Sequence, residues 1–361
     1  RARAPRVLLR ARGRAFIRAM ADASALASQI NAHVVRFDEA LTRVLLCHGD
    51  AAAACPDWWR EAERNWRRNT TASLAARLAL HAQTWNEFLP QSNPSTLRSV
   101  TNTVKKTRKE WPVVAYYQPD FSCGADLRRT ASDRNNNYAV RDDGGKWLCG
   151  WRAADFAPPC TVLSIGSNFD DAFERAMHKL ASCRSLTFDP TLGPVGSQKV
   201  RSFAASLEQY GSRLNASVGL GFGAIADRTG TRHKLRPLAE LLAGSGGFFR
   251  GATGGHHHLT VAKIDAEGGE FRGGLIGPDG LWEQCAAGRL TVDQVVVEVH
   301  LRMAGSLASL NAIFEGASRC GMVLLHKETN WLGCHFGGCV EFSWASLRHV
   351  RRVMERARAA T

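Results

Sequence analysis

The chain has 361 residues, 45% of them hydrophobic, which is enough for one large α/β domain with an extension and a sizeable core. Its formal charge is +14, but residues 1–112 hold 19 Lys/Arg against 9 Asp/Glu, so the basic character belongs mostly to the N-terminal part. No uninterrupted apolar run reaches the ~18 residues that a membrane-spanning helix needs.

Seven arginines and no acid fall within residues 1–18. An organelle transit peptide, a basic flank beside a membrane anchor lying upstream, and a solvated helix face are all compatible with that pattern. Because the chain opens on Arg1, the targeting signal stays open. Residues 16–46 keep apolar side chains three or four apart and predict a helix. A second helical tract follows Pro56, with Trp58, Trp59, Ala62, Trp66, Leu74, Leu78, Ala82, Trp85 and Leu89, and stops at Pro90. Tryptophan and arginine interleave there, a pattern that also suits single-stranded nucleic acid. A tryptophan stripe at helical spacing is first a packing surface, so nucleic acid is not expected as a partner. Lys105, Lys106, Arg108 and Lys109 form a further basic cluster read as solvent-facing.

The character changes at Trp111-Pro112. Residues 1–111 read as a basic helical region and residues 112–361 as an α/β domain. Residues 113–117 predict a strand and 128–145 a loop rich in Asn, Asp and Gly. The second domain is organised around residues 160–191. There 161–165 is a short apolar strand ending at Gly166, 171–181 carries apolar residues at helical spacing, and a second strand, 185–188, closes on Asp189. Strand, tight turn, helix, strand and acid within about 30 residues make a βαβ unit. Gly166 lets backbone approach a ligand, the helix N-terminus offers free N–H groups, and the carboxylate can accept from ribose hydroxyls. A single glycine is not a pyrophosphate cradle, and Asp170 and Asp171 oppose a phosphate. The pattern suits an adenosine ligand with a positive centre.

Helices are predicted over 200–210, 235–242 and 306–320, and strands over 215–222, 259–264, 295–300, 322–326 and 339–344, with 244–258, including His256, His257 and His258, as a polar loop. Asp189, Asp265 and His300 each close a strand. Ligands of open α/β sheets collect at that end, so the three are expected to converge on one crevice. None of the ten cysteines lies in a C-x-x-C pair, so no metal site is expected, and disulfides are expected particularly among Cys123, Cys149 and Cys160. The sequons Asn69-Thr70-Thr71 and Asn215-Ala216-Ser217 agree with a secretory lumen.

Val162-Leu-Ser-Ile-Gly-Ser-Asn168, Phe173-Glu174, Phe188-Asp-Pro190, Lys263-Ile-Asp-Ala-Glu-Gly-Gly-Glu270, Val297-Glu-Val-His300 and Lys327-Glu-Thr-Asn330 resemble, in that order, the FkbM-like methyltransferase domain. The resemblance spans about 111–344, including the lead-in Gly144-Gly-Lys-Trp147 and Cys149. It implies a class I S-adenosylmethionine-dependent methyltransferase: a Rossmann-like, seven-stranded, mostly parallel sheet with an antiparallel last strand, here behind an N-terminal α-helical extension. It further implies that Gly166, Ser167 and Asn168, with Phe173 and Glu174 after them, meet the cofactor, that Asp189 and Pro190 lie at its ribose, and that Ala226 and Asp227 lie at its adenine. Methyl transfer to an unidentified acceptor, with O-methylation requiring a base, follows as the expected activity. His300 has the best-suited ordinary pKa for that base, with Asp265 and Glu267 next. The rival readings are a non-catalytic domain serving as an interaction or anchoring module and, third, a nicotinamide oxidoreductase. Secretory or Golgi-lumen residence is favoured, with an organelle as the alternative.

Overall fold

The computed structural model describes residues 121–123, 126–130, 145–156, 158–226, 229–249, 256–300, 303, 307–330 and 339–359, with isolated positions 60, 61, 64 and 119. The helices expected over 1–111, apart from three of those positions, lie outside the described residues. So do the strand expected over 113–117, the sequon at Asn69 and Asp227.

A two-stranded ribbon, β1 (Leu127–Arg129) against β2 (Trp147–Cys149), leads into the main sheet. Then come β3 (Thr161–Ile165), α1 (Ala172–Ala181), β4 (Arg184–Phe188), α2 (Gln198–Glu208) and β5 (Arg213–Asn215). β6 (Val218–Leu220), β7 (Gly223–Ala226) and β8 (Arg232–Arg236) make a separate three-stranded sheet, followed by α3 (Leu238–Ala243). β9 (His257–Ile264), α4 (Leu281–Ala286), β10 (Leu290–His300), α5 (Leu307–Arg319), β11 (Met322–Asn330), β12 (Cys339–Ser346) and α6 (Leu347–Ala359) complete the order.

The seven strands of the main sheet stand in the order β5-β4-β3-β9-β10-β12-β11. The four pairings from β5 to β10 are parallel, and β12 runs antiparallel to both of its neighbours. The chain winds outward from β3 to β5 and then returns to the other side of β3 with β9. The strand order therefore reverses between β3 and β9, where an open α/β sheet leaves a crevice beyond its carboxyl ends.

Side chains alternate across the sheet and each face buries its own core. On one face Leu163, Ile165, Ile264, Val295, Val297 and Val299 pack with Leu241, Trp282, Ile313 and Phe314 from the helices. On the other, Val162, Val261 and Val296 pack with Leu148, Phe173 and Met177. Coverage on both faces explains why β3 and β10 read as continuous apolar runs. In α5, Gly316 lets α4 come close: a Cβ there would sit 2.5 Å from Cδ1 of Trp282.

Several expectations need correction. The strand expected over 215–222 is two strands in different sheets, because the chain turns at Ala216-Ser217, where Asn215 Oδ1 accepts from Ser217 N at 3.1 Å. The helix expected from 235 begins at Leu238, since Pro237 disfavours helical backbone in the residue before it and Leu235 and Arg236 pair in β8. His257 and His258 belong to β9 rather than a loop, in register with Leu290 and Thr291 of β10. The helices α4 and α6 were not expected. Among the disulfides, Cys123 pairs with Cys149, whereas Cys160 takes Cys183, which the parallel register of β3 and β4 sets beside it. No described helix is long and apolar enough to cross a membrane.

Candidate active site

The crevice is floored by the turn after β3. Gly166 has φ +73°, and a Cβ on it would lie 2.1 Å from the carbonyl oxygen of Asp265, so only glycine lets the turn after β3 pack this closely on the end of β9. Asn168 and Phe169 also take left-handed backbone, φ 48° and 63°, a conformation that must be held by its surroundings. Asp189 holds it. One carboxylate oxygen accepts from Ser167 N (2.8 Å), Ser167 Oγ (3.0 Å) and Asn168 N (2.9 Å). The other accepts from Thr191 N (3.0 Å) and Thr191 Oγ1 (2.6 Å). Burial pushes the pKa of this group up, but the bonds from Thr191, Ser167 and Asn168 outweigh it and hold the carboxyl below its ordinary value. From β9, Lys263 donates to the carbonyl oxygen of Gly166 and braces the turn from its other side.

Those five bonds fill the roughly four lone-pair sites of a carboxylate, one of them shared. In this arrangement Asp189 organises the turn rather than presenting open lone pairs to a ribose. Phe173 and Glu174 do not reach the crevice: α1 turns both onto the sheet, where each is 1% exposed, Phe173 in the core and Glu174 accepting from the Ser164 hydroxyl. Pro190 is buried at the start of the turn Pro190–Leu192, against which β7 packs, and this brings Ala226 to the same side.

Across the switch point, the loop after β9 and the end of β10 bring Asp265, Glu267 and His300 together. The imidazole Nε2 of His300 lies 3.4 Å from Glu267 Oε2 and 3.7 Å from Asp265 Oδ1, and its Nδ1 lies 3.0 Å from Oε1 of the fully buried Glu270. The same Glu270 oxygen accepts from His300 N at 2.7 Å. Burial pushes the imidazole pKa down, yet the Glu270 hydrogen bond and the charges of Glu270, Asp265 and Glu267 raise it to about 9. The surroundings of His300 thus favour its protonated form, which weakens its capacity as the proton-accepting base. That capacity passes to the half-exposed Asp265 and the exposed Glu267.

Three features escaped the sequence reading. Glu298, Glu341 and Glu328 stand opposite one another on β10, β12 and β11, so they share one face. Lys146, 3% exposed at the start of β2, places its ammonium on Glu341, and Trp147 Nε1 donates to Glu328 Oε2 at 2.9 Å. Burial opposes the Lys146 charge, but Glu341, Asp265 and Glu298 outweigh it and raise its pKa. Phe222 and Met303, 51% and 39% exposed, flank the 265–273 loop: a Cβ on Gly273 would meet the Phe222 ring and one on Gly268 would meet Met303.

Residues 69–210 match a family model described as a methyltransferase domain. That segment, 142 of the 361 residues, is similar to methyltransferase domains. The matched segment holds β3, the Gly166 turn, α1, β4 with Asp189, and α2; it begins within the stretch read as the N-terminal extension and ends before β5. The Asp265, Glu267 and His300 cluster lies outside it, on the half of the sheet contributed by β9 and β10. No curated protein matches the chain.

Proposed function

We propose that the protein is an S-adenosylmethionine-dependent methyltransferase of the class I, Rossmann-like type, acting on a hydroxyl acceptor. The observation that carries this reading is the Gly166 turn, fastened by Asp189 at the β3/β9 switch point and facing Asp265, Glu267 and His300 across the crevice. The residues fit the cofactor on physical grounds. Gly166 packs directly against the Asp265 backbone and so sets the turn beside the Asp265 loop, and the surrounding acids suit a cationic centre and disfavour a pyrophosphate.

Gly166, Ser167 and Asn168 would meet the methionine portion. Of the five donors on Asp189, the hydroxyls of Ser167 and Thr191 are free to rotate, so either can yield its lone pair to a ribose hydroxyl. Ala226, Asp227 and the exposed ring of Phe222 would border the adenine. When bound, the cofactor supplies a methyl group already activated by its sulfonium. The chain's task is then alignment, an effect worth about 7 to 11 kcal/mol where two reactants are held in line. Asp265 or Glu267 takes the acceptor's proton, and the His300 imidazolium keeps those carboxylates in place.

The disulfides Cys123–Cys149 and Cys160–Cys183 accord with a secretory or Golgi lumen. One observation favours the rival reading of a non-catalytic interaction module: Asp189 already has a full set of partners. Calorimetry with S-adenosylmethionine, S-adenosylhomocysteine and NAD separates the readings. Binding of the first two supports the proposal, no binding favours the interaction module, and NAD alone favours an oxidoreductase.

A further inference from the structure

We infer that Asp265, Glu267 and His300 form a binding site for a divalent transition-metal ion of the Mn2+ or Zn2+ kind. The three ligand atoms lie within 4.8 Å of one another. Ligands held about 2.0 to 2.2 Å from an ion are separated by roughly 2.8 to 3.6 Å. The 3.4 Å and 3.7 Å that separate His300 Nε2 from Glu267 and Asp265 are within a few tenths of an ångström of that range. Both carboxylates are solvent-accessible enough to make the adjustment.

A second observation comes from the other edge of the imidazole. His300 is 6% exposed, and Glu270, itself fully buried, holds its Nδ1 at 3.0 Å. Glu270 is immobilised by Gly268 N (2.9 Å) and His300 N (2.7 Å), so it cannot swing round to neutralise Nε2. Nε2 therefore faces the two carboxylates, 3.4 Å from Glu267 Oε2 and 3.7 Å from Asp265 Oδ1. A carboxylate fixing one ring nitrogen while the other faces further donors is how metal-binding histidines are oriented.

The ligand set also narrows the ion. One imidazole and two carboxylates suit Mn2+, Co2+ or Zn2+ better than Ca2+, which takes oxygen alone. A neighbouring group, Glu298, His300 and Cys339, is a weaker site because the Cys339 sulfur is in a disulfide and supplies no thiolate. Around the crevice, the carboxylates of Asp265, Glu267, Glu270, Glu298 and Glu341 outnumber the ammonium groups of Lys146 and Lys263. That excess of carboxylates favours a divalent cation between them.

The ion's role rests on the methyltransferase reading. A hydroxyl coordinated to it would ionise closer to neutral pH, with the proton leaving to solvent. The resulting oxyanion forms an O–C bond as the S–C bond of the sulfonium breaks and its electron pair returns to sulfur. The test uses the full chain, without affinity tag and stripped by chelator, titrated with Mn2+ alone and followed by electron spin resonance. One bound ion is expected, with nitrogen modulation in the pulsed spectrum that disappears in His300→Ala. Glu267→Gln, a change at an exposed side chain that leaves the core intact, is expected to weaken binding at least ~10-fold. No stoichiometric Mn2+ or Zn2+ uptake, or uptake indifferent to both variants, overturns the inference. Uptake by a chain that fails to bind S-adenosylmethionine keeps the metal site and removes the methyltransferase reading.

Discussion

Asp189 and His300 close neighbouring halves of one sheet at the same level, yet their surroundings are opposite. Asp189 is a carboxylate ringed by donors, five of them, and its pKa falls despite burial. His300 is a base ringed by carboxylates, and its pKa rises to about 9 despite burial. The difference shows that position at a strand end does not fix chemistry. The balance of donors and acceptors around the group does, and it divides the crevice into a turn that is locked and a cluster with charge to share.

Removing Asp189 breaks the locked half most severely. Asp189→Ala leaves buried donors at Ser167, Asn168 and Thr191 without an acceptor and is expected to lower stability by about 3 to 5 kcal/mol, read from the midpoint of urea unfolding. Its lowered pKa also gives a pH signature. The stabilisation is complete above the ordinary carboxyl value of 3.8 and disappears as pH falls through the lower folded value. Asp189→Asn should therefore differ most from the wild type at neutral pH, with the gap narrowing in acid.

The charged half is probed at Lys146. Lys146→Met leaves Glu341, 7% exposed, without its ammonium, and should cost about 3 kcal/mol. Adding Glu341→Met is expected to restore much of that, since an apolar pair carries no desolvation penalty. A double mutant no more stable than the single would mean that the row of glutamates, rather than the pair, holds the β2 ribbon in place.

A more moderate effect is expected from the bond that ties the starts of β3 and β4. Replacing both Cys160 and Cys183 by serine opens a link across 23 residues and should cost about 3 kcal/mol at most, measured as a fall in Tm. The smallest change, remote from the crevice, serves as a control: Gly316→Ala pushes a methyl into Trp282 and is expected to cost about 1 to 3 kcal/mol while leaving ligand binding intact.

Much of the locked half was legible in the chain. The strand 161–165, the glycine and the acid after the next strand carry their own period and punctuation, and the structure reproduces them within a residue or two. That Asp265 and His300 lie near each other was also legible, because parallel strands end on one side of the sheet; Glu267 at His300, in a cluster without Asp189, was not. The protonation of His300 was not, because it depends on Glu270 folding back through a turn at Gly268. The core position of Phe173 is legible in the helical period that marks α1, which sets it with Met177 on the buried face. The small sheet of β6 to β8 was hidden by Gly219, Gly221 and Gly223, which leave little alternation to read. The helix α6 escaped because Leu347, Val350 and Val353 are sparse apolar marks among arginines. Lys146 and Glu341 are 195 positions apart, and no local rule joins them.

Hydrogen exchange with and without S-adenosylmethionine tests the shared crevice most directly, because it reads both halves in one experiment. Slower exchange is expected together in residues 166–169 and 265–270, the two sides of the β3/β9 parting. Protection confined to one side, or appearing only away from both, would contradict a cofactor seated at the switch point.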